Sequence, residues 1–395
     1  EDILFERQDP MDDPEMEKWC GRALRVMLKA FPSLEELDFS HNYRAGKECF
    51  KTLCGFPIKT LNLSNSVRVK DGFSHFPGST LSKSVEVVDL SEIRLTTGSL
   101  QDFLGLPHFV FEMARPTLFR EERAEKLNIR KLNLDENRGL RTGILCLMAK
   151  LMPKLEDVSI KWCNQANGLF LEALGAHCKN MKHLRCERVP GILDCHVVSF
   201  AENCPCLETL GISYTRTTDE SLIALADHCR KLQVLCIVNH NDQYTNKGIL
   251  AIASKCTDLR KLRLSCTRSD AIRPNVTFIK SGPCDNLTDS TLKALEKLPK
   301  LKELVINGGS KQFTKEAVLH MVETNSNLEL KIDYRTKFRY FGTGDGELTK
   351  MERLTTIGKA LGRRVSYFEG KTGCNAYNKR KQHYKKLLEK KKAKC

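Results

Sequence analysis

The sequence predicts an α/β solenoid, a curved arc with parallel strands on its concave face and helices on its convex face. The main observation behind this is a Leu-x-x-Leu-x-Leu phrase that keeps returning. Its anchors are Leu34-Leu37-Phe39, Ile58-Leu61-Leu63, Val85-Val88-Leu90, Ile129-Leu132-Leu134, Leu155-Val158-Ile160 and Met181-Leu184-Cys186. They continue with Leu207-Leu210-Ile212, Leu232-Leu235-Ile237, Leu259-Leu262-Leu264, Leu301-Leu304-Ile306 and the shortened Leu328-Leu330-Ile332. Spacing is the second observation: first anchors lie 24, 27, 44, 26, 26, 26, 25, 27, 42 and 27 residues apart. The third is that each unit passes from a strand-like segment to helical apolar spacing.

A period near 26 is that of a leucine-rich-repeat solenoid, whose units bury their apolar faces only by stacking. About 11 repeats occupy 31–335. In the unit Leu207–Lys231, Glu208 to Ser213 reads as a strand and Tyr214 to Thr217 as a loop. Thr218 or Asp219 caps the helix that follows, and Glu220 suits its positive end. Leu222, Ile223, Leu225 and Ala226 give helical spacing, and the helix ends near His228-Cys229. Helices are wider than strands, so the stack bends into an arc. Residues 1–30 are expected to form an N-terminal helical cap, with Trp19, Ala23, Val26, Met27 and Ala30 at helical spacing and Trp19 in the cap core. The two long gaps hold insertions near 104–126 and 269–286, which emerge as loops and are candidate binding elements. The second is the better placed, because it follows the strand Leu259–Leu264 directly. After the repeats, 336–395 is a basic extension that is expected to be partly disordered.

Of the 395 residues 41% are hydrophobic and the mean hydropathy is −0.37, which suits a soluble chain with a continuous core. No apolar run approaches the roughly 18 to 20 residues of a membrane span. The acidic start, Glu1 to Asp13, holds no apolar signal region and no initiator Met, which points to a processed or truncated piece. The 17 cysteines are scattered, and Cys178, Cys204, Cys229 and Cys256 each stand three residues before a first anchor. That phase assigns them to packing as reduced thiols and places the chain in the cytoplasm, the nucleus or both. The net charge of +15 is uneven: 331–395 carries 19 Lys+Arg against 6 Asp+Glu, which leaves the rest at +2.

Counting the first anchor as position one, the strand period of two sends positions four and six into the core and positions three, five and seven to the concave side. That strip is acidic at first, with Glu36, Asp38 and Asp89, and basic later, with Arg185, Lys261 and Arg263. Between them Val234, Cys236 and Val238 make an exposed apolar step. Trp162 and Tyr214 hold position eight, at the strand exit. Apolar and aromatic groups beside Arg are the ingredients of a protein interface. Trp162, Arg185, Tyr214, Val234, Val238, Lys261 and Arg263 are therefore the candidate residues for a protein substrate.

Catalytic patterns are weak, and no cofactor or metal site is expected. Gly370-Lys371-Thr372 resembles the end of a phosphate-binding loop, but the required first Gly falls on Val365. His177-Cys178 and His228-Cys229 share one repeat phase, and adjacent residues on a helix do not face each other. Cys204-Pro205-Cys206 has no second ligand pair for zinc. The tail carries Lys379, Arg380, Lys381, Lys385, Lys386, Lys390, Lys391 and Lys392, with Tyr377, Tyr384, Leu387 and Leu388 near one helical face. Such a segment serves as a nuclear import signal, a clamp on nucleic acid or anionic lipid, or a solubilising tail.

The run Thr218-Asp219-Glu220-Ser221-Leu222-Ile223-Ala224-Leu225-Ala226-Asp227-His228-Cys229-Arg230-Lys231-Leu232-Gln233-Val234-Leu235 resembles the cysteine-containing subclass of leucine-rich repeats, as does Leu250 to Leu259. The phrase looks like the substrate-binding region of F-box/LRR proteins, over about 150 to 335 and more loosely from 31. This resemblance implies substrate capture on the concave face, no chemistry in this subunit, and a ubiquitin-ligase adaptor and cullin as partners. An F-box is not visible in 1–30 or elsewhere. Either it preceded Glu1, or the chain is an LRR scaffold outside that pathway, with a basic tail that engages nucleic acid or a ribonucleoprotein.

Overall fold

The computed structural model describes residues 14–106, 125–240, 244–267, 281–282, 286–307, 312–325 and 327–332. The first described element is helix α1 (Pro14–Ala30), whose first residue is a proline, in the first turn, where the N–H has no intrahelical partner. Strand and helix then alternate: β1 (Glu36–Asp38), α2 (Lys47–Leu53), β2 (Thr60–Asn62), a 3-10 segment (Val67–His75), α3 (Thr80–Ser84), β3 (Val87–Asp89) and α4 (Thr97–Leu104). Next come β4 (Lys131–Asn133), α5 (Thr142–Leu151), β5 (Asp157–Ser159), α6 (Leu169–His177), β6 (His183–Arg185) and α7 (Asp194–Asn203). Strands then lengthen, through β7 (Thr209–Thr215), α8 (Asp219–His228), β8 (Val234–His240), α9 (Asn246–Lys255) and β9 (Lys261–Thr267). The series closes with β10 (Ser281–Gly282), α10 (Asp289–Glu296), β11 (Glu303–Asn307), α11 (Lys315–Thr324) and β12 (Glu329–Ile332).

All the described strands join one sheet. β1 to β9, β11 and β12 follow one another in parallel, and β10 stands off this path, antiparallel on β9. The register matches the repeat phase, with Leu210 opposite Leu235 and Leu235 opposite Leu262. Positions four and six fill one continuous core with the inner sides of the helices. This is the leucine-rich-repeat solenoid that the period predicts.

Strand length has a local cause. In the first four repeats position five is Asp38, Asn62, Asp89 or Asn133, and each side chain accepts the N–H two residues on, at 2.9, 3.0, 2.9 and 3.0 Å. A side chain that captures this N–H takes it from the sheet and ends the strand after three residues. The next residue, position eight, then turns left-handed: His41, Asn65, Glu92 and Glu136 all have φ near +60°, as do Trp162 and Arg188 in the following two repeats. β5 and β6 are also three residues long, with Ser159 and Arg185 at position five; in β5 the Lys161 N–H goes instead to Asp135 of the preceding repeat at 2.8 Å. In β7, β8 and β9 position five is Gly211, Cys236 or Arg263, and the strands run on to seven residues.

Helices are tied by capping between repeats. Thr218 caps its own helix by accepting the Glu220 N–H at 3.3 Å. Asp194 of the preceding repeat accepts both the Thr218 N–H and its hydroxyl at 2.8 Å. Asp219 does the same for Thr245, Asn246 engages the N–H of Thr288 at 3.0 Å, and Asp289 holds Thr314. The sequence left the cap open between Thr218 and Asp219. Thr218 caps its own helix, and Asp219 caps the next repeat.

Cys178, Cys204, Cys229 and Cys256 terminate α6 to α9, and all four are fully buried. Each lies against a carbonyl of the repeat before it, as when Cys178 Sγ sits 3.4 Å from the Ala149 oxygen. Burial pushes all four thiols up to about 12. The neighbouring His177 and His228 are exposed, so they do not share a site with these sulfurs. A thiol raised by folding adds stability that is present below pH 9 and is lost as pH climbs toward 12. The urea midpoint should therefore fall steadily above pH 9. Alkylation at pH 8 should reach exposed Cys195 first and leave these four unmodified until the repeats unfold.

The cap departs from expectation. The buried side of α1 is Gly21, Leu24 and Leu28, with Cys20 packed beside them. Trp19 is 60% exposed and Val26 70%, so Trp19 is not cap core. Helical spacing alone does not say which of two apolar faces turns inward.

Candidate protein-binding face

The candidate residues lie where short strands give way to long ones. Trp162 is half-buried and left-handed, φ 63°, in a backbone region that a bulky residue rarely adopts. Its N–H donates to the Glu187 carbonyl at 3.0 Å, one rung of a ladder shared by position eight of the earlier repeats. Two guanidiniums lie over the indole, with the Arg188 carbon 3.7 Å and the Arg138 carbon 5.5 Å from the ring centre. These contacts are cation–π contacts, and they fix the ring on the rim of the face.

Tyr214 falls at the register shift between Ser213 and Thr215, where β7 carries one residue more than β8. That extra residue makes a bulge and sharpens the twist at the start of the long strands. The side chains of Tyr214 and Val238 lie outside the described residues, as does the whole lysine-rich tail, Lys379 to Lys392. The first insertion is outside as well, over 107–124. The second returns as β10, with Ser281 opposite Thr267 and Gly282 opposite Cys266. Its far end is therefore anchored on β9, beside the concave strip.

The strip is not the plain acidic-to-basic gradient that side-chain order implies. Arg185 is paired with Asp157, Nη1 to Oδ1 at 3.1 Å, and Lys261 with Glu303 at 2.6 Å. Each acid stands one repeat away from its base, a relation hidden when positions are read one repeat at a time. Arg263 is exposed and makes no ion pair among the described residues. The apolar step is lower than expected: Val234 and Cys236 are half-buried, Val234 between Thr209 and Lys261 and Cys236 between Gly211 and Arg263. Burial raises the Cys236 thiol, opposed by Arg263 and Lys261, so it stands as a neutral group between charges.

Glu187 and Gly211 were not singled out by the sequence. Gly211 leaves a notch at position five, and Glu187 fills it: a methyl group at Gly211 would stand 2.5 Å from Glu187 Oε1. The other carboxylate oxygen is enclosed and has no hydrogen-bond partner among the described residues. A lone glycine in the strip was the available signal. Arg188 and Arg138 escaped because they follow the strand, outside positions three, five and seven.

Elsewhere, an open polar cavity is lined by Lys83, Ser84, Glu86, Asn128, Arg130 and Lys154. Arg130 is held by Glu156 at 2.5 Å and Lys154 donates to Asn128 at 2.8 Å. Among the described residues no three His, Cys, Asp or Glu side chains converge as a metal site would require. No described helix is long and apolar enough to cross a membrane.

No family model matches the chain. A curated relative, "GRR1-like protein 1" of Arabidopsis thaliana, is 29% identical over 107 residues, which are 27% of this chain and 17% of that protein. The chain therefore spans under a fifth of that relative's length. A solved structure, "Crystal structure of Rad7 and Elc1 complex in yeast", aligns over 81% of this chain and 87% of the other, at 16% identity and a TM-score of 0.39. The stacked parallel strands, backed by helices from α1 to α11 in the described residues, give this chain the fold of a leucine-rich-repeat solenoid.

Proposed function

We propose that the chain is a non-catalytic protein-binding scaffold, the substrate-recognition subunit of a cullin–RING ubiquitin ligase. In this reading a protein substrate seats on the concave face of β6 to β9. The observation that carries it is the change of surface at β7. There a rigid rim of left-handed residues ends at Trp162 and Arg188, and long strands carry Val234, Cys236 and Arg263, which is exposed and makes no ion pair among the described residues. A half-apolar step beside a guanidinium suits a protein partner, because desolvated apolar area and a planar donor fork contribute binding together. The likeness to a GRR1-like protein supports the ligase setting. The adaptor and cullin are the partners this implies, in the cytoplasm or nucleus.

Affinity purification of the full chain should recover an adaptor, a cullin and a substrate. Arg263→Glu with Val234→Asp should lower substrate recovery at least tenfold and leave the adaptor in place. Loss of both, or of neither, sinks the concave-face assignment. A second reading rests on the charge of 331–395, which holds +13 of the net +15. If the tail is a nucleic-acid clamp or import signal, removing 371–395 abolishes salt-sensitive RNA recovery or nuclear entry and leaves substrate binding intact.

A further inference from the structure

The outer face of α1 is the feature that the concave-face reading does not use. On a helical wheel the helix divides into three sides. Gly21, Leu24 and Leu28 turn inward, with Cys20 at their edge, and pack on α2. Trp19, Ala23, Val26, Met27 and Ala30 form a second apolar stripe, which continues into Phe31, and all six are exposed. Arg22, Arg25 and Lys29 form a third edge, also exposed, and from Lys18 to Ala30 the helix has no acid. Glu17, just before this run, is spent inside the solenoid: it accepts the Glu48 N–H at 3.1 Å and pairs with Arg68 at 3.3 Å.

Single exposed apolar residues are ordinary, whereas a continuous stripe with two large aromatics marks an interaction surface. The repeat geometry says what shape fits it. Interior helices are packed on both sides, as α8 is by α7 and α9, whereas α1 has α2 as its one substantial helix neighbour among the described residues. Its outer stripe is therefore the side on which the stack would receive one more helix. Charge decides the chemistry. A second copy in the same place would bring Arg22, Arg25 and Lys29 of two chains together, an arrangement that like-charge repulsion disfavours. An acidic helix would pair with them.

We propose that this face docks an amphipathic helix of another polypeptide, one with an apolar stripe and acidic flanks. The face is separate from the concave strip, so the two sites act independently. About 25 Å of α1, at 1.5 Å per residue, is available for the contact.

The test uses the full chain with Trp162→Phe, so that Trp19 alone reports by fluorescence. The probes are two 18-residue peptides with leucines at helical spacing, one flanked by glutamates and one by lysines. The acidic peptide should bind and shift Trp19 emission to the blue, and the basic one should bind at least tenfold more weakly. Val26→Asp, at a position 70% exposed and so harmless to folding, should weaken the acidic peptide tenfold or more. Reversing Arg22, Arg25 and Lys29 to Glu should invert the preference. Equal binding of both peptides overturns the proposal. So does a blue shift with phosphatidylserine vesicles but neither peptide, or a sedimentation-detected dimer that Val26→Asp abolishes.

Discussion

Replacing Phe103 with alanine is expected to destabilise the N-terminal repeats by about 3–5 kcal/mol, the usual range for a buried phenylalanine. The ring is almost fully enclosed and stacks on Phe76 at 4.0 Å, with Phe73 tilted against it at 5.1 Å. Phe50 completes the group, 4.8 Å from Phe73. Phe50 lies in α2, Phe73 in the 3-10 segment, Phe76 just after it and Phe103 in α4, so the rings tie three helical elements together. Because repeats are coupled mainly to their neighbours, the damage should stay local. Urea unfolding should split into two transitions. In the first, Cys49 and Cys54, now raised to about 11 by burial, should become open to alkylation. Cys178 to Cys256 should stay protected until the second. A single transition with all thiols exposed together would show that the solenoid is one cooperative unit.

Asn137→Leu is expected to cost about 3–5 kcal/mol, from two or three stranded polar groups at about 1–3 kcal/mol each. Asn137 is fully buried and joins the third and fourth repeats, between which the first insertion falls in the sequence. Its Oδ1 accepts the Leu95 N–H at 2.7 Å, and its Nδ2 donates to the Leu90 carbonyl at 2.8 Å and the Leu134 carbonyl at 3.0 Å. Asn137→Asp should be worse, because a carboxylate has no donor for either carbonyl and would be buried with its charge. Hydrogen exchange at the Leu95 amide is the direct check. If it stays as slow in the leucine variant as in the parent, the bridge is not what holds this junction.

Asn137 also shows how far the sequence could be read. It stands at position nine, where Cys163 reaches the same Leu134 carbonyl at 3.4 Å. Asn or Cys at that point belongs to the repeat phrase itself, so the signal was available and only its partners were hidden. Position five was legible in the same way. Asp38, Asn62, Asp89 and Asn133 announce short strands, because a captured N–H competes with the sheet. The long strands were not legible there, since position five is Arg in both three-residue β6 and seven-residue β9. The pairing of Arg185 with Asp157 and of Lys261 with Glu303 was not legible. A strip read position by position gives charges, and only the distance between repeats says which charges cancel.

The sequence by itself determined the repeat, its phase, the parallel ladder, the inward cysteines and the uneven charge. Each of these depends on spacing along one chain, and spacing is a local property. The tertiary structure decided which face of α1 turns inward, which bases keep their charge for a partner, where Glu187 lies, and that Trp162 is gripped by two arginines. Those outcomes depend on contacts between residues a repeat or more apart, where packing and charge pairing choose among arrangements that the local pattern permits equally.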